Sequence, residues 1–135
     1  MSSLDTVHRR LCHTLFDAIE QGDLPAVEAC YSPDMVIWFN VTGQESNRDD
    51  NLAALLKGGE VHRRRTYNDR IISTFDDGFV AQYTLNVVGL NGAKVALNAC
   101  LVGRVRDGLI VRLDEYLDSS KFGARPSPAA AEGKP

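Results

Sequence analysis

At His62 the hydrophobic period of this 135-residue chain changes from steps of three and four to alternation, and that switch limits the fold more than any other feature. A helix buries every third or fourth side chain and a half-covered strand every second one, so helices in the first half must pack on a sheet made by the second. Before the switch, Leu4, Val7, Leu11, Leu15 and Ala18 recur at helical spacing, widened by Cys12, Phe16 and Ile19, which predicts a helix over residues 4–21. His8 falls inside the apolar arc and reads as a hydrogen-bonded core histidine. Gly22 stops the helix, and Asp23 with Pro25 starts a short second one through about Cys30. Ser32-Pro33-Asp34 reads as a turn, and residues 35–40 as a strand because β-branched and aromatic side chains dominate it. Residues 47–57 read as a third helix that Gly58-Gly59 stops.

Beyond the switch comes one long strand and then three more, separated by Asp76-Asp77-Gly78, Asn91-Gly92 and Asp107-Gly108. Each turn can supply the positive φ of a tight hairpin. The order α-α-β-α-β-β-β-β predicts an α+β domain over residues 1–122, its helices covering one face of a curved antiparallel sheet. The tail 123–135 is rich in Pro, Gly and Ala with almost nothing to bury, which predicts disorder.

Charge and cysteine usage exclude several functions. With 15 Lys and Arg against 18 Asp and Glu there is no cation excess to neutralise a phosphate backbone, so nucleic acid is not an expected partner. No apolar run approaches the roughly 20 residues of a membrane span, and the first residues lack a basic-then-apolar leader. No membrane partner and a cytoplasmic location are therefore expected. Cys12, Cys30 and Cys100 are odd in number and form no CxxC, so neither a disulfide framework nor a metal site is expected.

Candidate site residues follow from strand register. If Asn91-Gly92 and Asp107-Gly108 are two-residue loops, counting outward places Tyr83 opposite Cys100, Leu85 opposite Asn98, Cys100 opposite Glu115 and Val102 opposite Leu113. One face then holds Tyr83, Asn98, Cys100, Leu113 and Glu115 among apolar neighbours. The other holds Leu97, Leu101, Arg112 and Tyr116 with several polar residues, a mixture that suits a homodimer contact. A bulge in either hairpin would shift the assignment by one and exchange the faces. Among Leu113, Val102 and Leu117, the Glu115 carboxylate would be desolvated and its pKa raised, as a general acid or base requires; the alternative is an ion pair with Arg63 or Arg104. Tyr83 either donates a hydrogen bond to a ligand or packs on the sheet, and Asn98 either orients a ligand or satisfies a bulge. Cys100 reads as inert, with no cation near it. Trp38 and Asn40 share one face of the first strand, which fits the lining of an apolar pocket, or, for Trp38, plain core. The run His62-Arg63-Arg64-Arg65 reads as a solvated strand edge that discourages strand addition.

Three segments carry a resemblance: Phe16 to Asp23 at the end of the first helix, Val36 to Gly43, and Arg106 to Asp118. Over about residues 4–122 the chain resembles the SnoaL-like branch of the nuclear transport factor 2-like superfamily, which implies a cone-shaped α+β barrel that hosts isomerases, cyclases, hydrolases and non-catalytic binders. Carried over from ketosteroid isomerases, the oxyanion donor and base fall on Leu15 and Asn40, and neither can do that chemistry. The catalytic Asp of limonene epoxide hydrolases corresponds to Glu115, but their Arg-x-Asp pair falls on Tyr83-Thr84-Leu85. In SnoaL-type cyclases the base carboxylate also falls near Glu115, while the His that some relatives carry at Phe39 and Tyr83 is replaced. The resemblance implies cofactor-free proton-transfer chemistry on a compact apolar or polycyclic carbonyl compound. Glu115 would move the proton, Tyr83 and Asn98 or Asn40 polarise an oxygen, and Trp38, Cys100, Leu113 and Leu15 line the site. A non-catalytic binder with the same pocket and a protein–protein adaptor are the alternatives.

Overall fold

Local capping chemistry starts two of the three helices in the computed structural model, which describes residues 3–121. Helix α1 (Ser3–Gln21) ends at Gly22, whose φ of +69° suits a residue without a side chain. The Asp23 carboxylate then accepts the Ala26 N–H at 3.2 Å to cap α2 (Leu24–Cys30). Strands β1 (Tyr31–Phe39) and β2 (Gln44–Asn47) follow, and the Asn47 side chain accepts the Asp50 N–H at 2.8 Å to cap α3 (Arg48–Val61). Gly58-Gly59 does not stop α3. The helix runs on to Val61 and closes when the His62 N–H bonds the Gly58 carbonyl at the entry to β3 (His62–Phe75). Strands β4 (Gly78–Gly89), β5 (Lys94–Arg106) and β6 (Leu109–Leu117) complete the meander. The predicted tail 123–135 lies outside the described residues.

The six strands form one sheet in the order β2-β1-β6-β5-β4-β3. It is mixed, because β1 runs parallel to β6 while every other pair is antiparallel. The Ser32-Pro33-Asp34 turn is absorbed into β1 as an irregularity in that parallel ladder between Tyr31 and Val36. The sheet is also open. Strands β2 and β3 are its two edges and share no ladder, which corrects the expected closed, cone-shaped barrel. The physical reason is the segment joining them: β2 is four residues long, and α3 lies between the edges, touching β1, β2 and β3. Helix α1 covers the same face, burying Cys12, Leu15 and Phe16 against a core that includes Phe79, Ile110 and Leu113. His8 is buried too, and its Nδ1 donates to the Phe75 carbonyl at 3.2 Å.

Register departs from the simple count twice. The β4–β5 loop has three residues: the Gly89 N–H bonds the Ala93 carbonyl at 2.8 Å and Gly92 takes the left-handed position at φ +87°. Tyr83 therefore faces Ala99, and Leu85 faces Leu97. The β5–β6 loop is the expected two-residue turn, with positive φ at Asp107 and Gly108, but the ladder slips between Val105 and Arg104 and leaves Val111 as an extra residue. Glu115 thus faces Leu101 and Leu113 faces Gly103. Asn98 and Cys100 turn to the outer face, while Leu97 and Leu101 turn inward. Tyr83, Leu113 and Glu115 keep their shared face.

Candidate functional site

Between the helices and the inner face of the sheet lies a cavity of about 380 Å³. Leu15, Phe16 and Ile19 of α1, Ala54 and Leu55 of α3, and Ile37, Phe39, Leu85, Leu101, Leu113 and Leu117 of the sheet make its wall largely apolar. Its polar groups are few: Glu115, Arg65, Tyr67, Tyr31 and Asn51 at the core, with Thr42 and the β2 edge at the rim.

Glu115 reaches the cavity because Phe39 and Ile37 of β1 pair with Glu115 and Leu113 of β6 and face the same way. The side chain is half-buried and borders the cavity. Burial pushes the carboxyl above its ordinary value near 4.5; the hydrogen bond from Tyr83 and the charge of Arg65 pull the other way and are weaker. Tyr83 Oη donates to Glu115 Oε2 at 3.0 Å. Arg65 and Tyr67 are two residues apart on β3 and share the inner face. The Arg65 cation lies near the Tyr67 hydroxyl and pulls its pKa down, against the larger effect of burial. Tyr67 lines the cavity, and its hydroxyl carries a proton that it can donate. Burial holds the phenols of Tyr31, Tyr67 and Tyr83 above their ordinary value, so all three are neutral donors at physiological pH. Tyr31 spends its proton on Asn51 Oδ1 at 2.9 Å.

An aromatic stack fixes these groups. The Phe16 ring lies parallel to Tyr67 at 4.4 Å and tilted against Tyr83 at 4.8 Å. Behind it, Arg70 sits over Phe16 at 5.2 Å and pairs with Asp17 at 2.9 Å and Glu20 at 3.2 Å. Glu20 also accepts the Tyr67 N–H at 2.7 Å, so the backbone that presents Arg65 and Tyr67 is tied to α1.

The structure brings together Glu115, Tyr83, Leu113 and Leu15, and separates the other candidates from them. Asn40 is a ladder extension: its Nδ2 donates to the Leu117 carbonyl at 3.1 Å and its Oδ1 accepts the Leu117 N–H at 2.8 Å. Trp38 lies on the outer face, 5.3 Å from Tyr116. Asn98 and Cys100 share that outer face for the register reason given above. The cation facing Glu115 is Arg65, neither Arg63 nor Arg104. Sequence reasoning missed Arg65, Tyr67, Tyr31 and Asn51. Period-two counting back from Tyr67 would have placed Arg65 inward. Burial pushes the Cys12 thiol up to about 12, which makes it unreactive at neutral pH. Among the described residues no group of three or more His, Cys, Asp or Glu is placed to hold a metal, and no helix is long and apolar enough to cross a membrane.

Several solved structures share this architecture. A proposed polyketide cyclase of Xanthomonas campestris pv. campestris is 23% identical with a TM-score of 0.82, over 93% of this chain and 100% of that one. A second from Silicibacter sp. TM1040 is 22% identical with a TM-score of 0.77, over 93% and 99%. A third, IdmH from Streptomyces antibioticus, also a proposed polyketide cyclase, is 20% identical with a TM-score of 0.76, over 86% and 95%. At these identities the likeness establishes the fold. No curated protein matches the sequence. The family model described as the SnoaL-like domain matches residues 13–113, most of the chain, and the protein belongs to that family.

Proposed function

We propose that the protein is a small-molecule enzyme that moves a proton with its own side chains, Glu115 being the acid–base group and the substrate a compact, apolar, ring-bearing carbonyl compound. The observation that carries this reading is a carboxylate of raised pKa on the wall of a largely apolar cavity that the neutral phenol of Tyr67 also lines. Glu115 takes a proton from the carbon beside the carbonyl: the C–H bond breaks, an O–H bond forms on the carboxyl, and the electron pair moves onto the carbonyl oxygen. The Tyr67 hydroxyl donates to that developing oxyanion, with the Arg65 charge behind it. Returned to another carbon, the proton completes an isomerisation. If the carbanion instead attacks a second carbonyl of the same molecule, a ring closes and Glu115 protonates the new alkoxide. Similarity to proposed polyketide cyclases supports the second outcome.

The test is deuterium uptake from solvent into 2-tetralone, a bicyclic ketone with acidic hydrogens beside its carbonyl, followed against pH. The working form has Glu115 ionised, so the rate should fall about tenfold per pH unit below its pKa, with an inflection above 4.5. A profile without that limb overturns Glu115 as the base. Tetralone that binds without exchanging points to a binding protein on the same pocket.

We further propose a homodimer through the outer sheet face, which no helix of the described residues covers and where Trp38, Val36, Tyr116 and Val102 lie beside Arg112, itself paired with Glu45 at 2.9 Å and Asp114 at 3.0 Å. Leu97 and Leu101, turned inward, take no part. Sedimentation should give twice the 14.8 kDa chain mass and Tyr116→Arg the single mass; a native monomer rejects the contact.

A further inference from the structure

A second cavity, of about 200 Å³, opens beside the first and shares Ile19, Leu55 and Arg65 with it. Its polar wall is made by four consecutive residues, His62, Arg63, Arg64 and Arg65, together with Glu20 and Gln21 at the end of α1. Regular alternation would send neighbours to opposite faces. Here the pairing of β3 with β4 slips between His62 and Arg64, where α3 gives way to the strand, and the slip lets all four border one hollow. The facing wall includes Gly58 and Gly59. A Cβ on Gly58 would stand 2.6 Å from Arg65 Nη2, so the bare backbone makes room for the guanidinium.

The hollow carries more positive than negative charge: three arginines line it against the one carboxylate of Glu20. None of the ion pairs among the described residues involves Arg63, Arg64 or Arg65. Glu20, which also borders the cavity, is already held by the Tyr67 N–H and Arg70. Among the described residues the Arg63 guanidinium donates to the Leu90 carbonyl, at 3.4 Å. His62 Nδ1 is buried with no hydrogen-bond partner among the described residues, a state that costs stability.

We infer that this hollow binds a carboxylate, the anionic end of a substrate whose apolar body fills the larger cavity. The inference rests on the pocket reading above and adds the substrate's charge and orientation. Arg65 borders both cavities, so its cation lies between the bound carboxylate and Glu115 and offsets their mutual repulsion. A hollow this small takes one anionic group, and the net charge of −3 on the whole chain disfavours a polyanion.

Calorimetric titration with 2-naphthoate and its neutral isostere 2-naphthamide separates the two readings. The native chain should bind naphthoate about tenfold more tightly than naphthamide. In the double variant Arg63→Gln, Arg64→Gln that preference should largely vanish, with naphthamide affinity kept within about twofold. Equal affinities in the native chain, or a preference that survives both substitutions, overturns the carboxylate site while leaving the apolar pocket standing. Failure of both probes to bind overturns the pocket reading itself, and this one with it.

Discussion

Glu115→Gln should lower exchange turnover by about 10²–10⁴-fold and, at neutral pH, raise the melting temperature. Both follow from the raised pKa of a carboxyl that burial penalises in its charged form. Glutamine keeps the shape and still accepts the Tyr83 hydrogen bond, but cannot take a proton. For stability, the folded state holds its proton to higher pH than the unfolded chain does. Between the ordinary value near 4.5 and the higher folded value, the unfolded state therefore binds fewer protons, and stability falls as pH rises through that window. The neutral amide escapes that cost. Thermal melts of both proteins across pH should accordingly converge in acid and diverge toward neutrality, with the variant the more stable. A variant that is inactive because it is unfolded would show the reverse, and one that keeps native turnover would remove Glu115 from the chemistry.

Phe16→Ala should cost about 3–5 kcal/mol of stability. Phe16 is 1% exposed, parallel to Tyr67, tilted against Tyr83 and capped by Arg70. Its loss opens a hole where no neighbour is free to move in, because Arg70 is held by Asp17 and Glu20 and Tyr83 by Glu115. Urea unfolding of the variant should show a lower midpoint at an unchanged slope. Phe16→Leu should recover most of the stability but less of the activity, since a branched aliphatic chain fills volume without holding the Tyr67 ring flat. A loss below about 1 kcal/mol for Phe16→Ala would mean that the stack does not bear on the core.

The period switch at His62 and the hairpin signals made the helices and the meander legible, because both patterns depend on neighbours in sequence. Register was legible only in part. Asn-Gly serves a two-residue loop and the left-handed position of a three-residue loop equally well, so Asn91-Gly92 could not reveal the extra residue between β4 and β5. The second displacement, at Val111, adds to the first: Tyr83 stands in a row with Ala99 and Leu117, two residues from the counted row, and an even shift keeps β6 on its face. That is why Tyr83 and Glu115 share a face as read, though not a row, while Asn98 and Cys100 on β5 fall on the opposite face. Composition held a correction: the miscounted register put Leu97 and Leu101 outward and Asn98 inward, against the hydrophobic pattern. In β1, Ile37 and Phe39 compete with Val36 and Trp38, and both sets are apolar, so no pattern could choose the inner face. Arg65 was hidden inside a basic run whose other members lie at the strand edge. The parallel β1–β6 pairing leaves no local signal, since its partners are separated by most of the chain.

That pairing has a consequence for the order of assembly. Strands β3 to β6 are joined by short turns and can zip from neighbour to neighbour, whereas docking β1 on β6 must close a long loop and bear its entropic cost. The segment that docks there carries Ile37 and Phe39 and leads into α3, so the cavity is incomplete until β1 lies on β6. A chain that transiently releases β1 would keep a folded meander yet lose every trace of its pocket. A ligand gripping both sides would act as a latch on the slowest joint in the molecule.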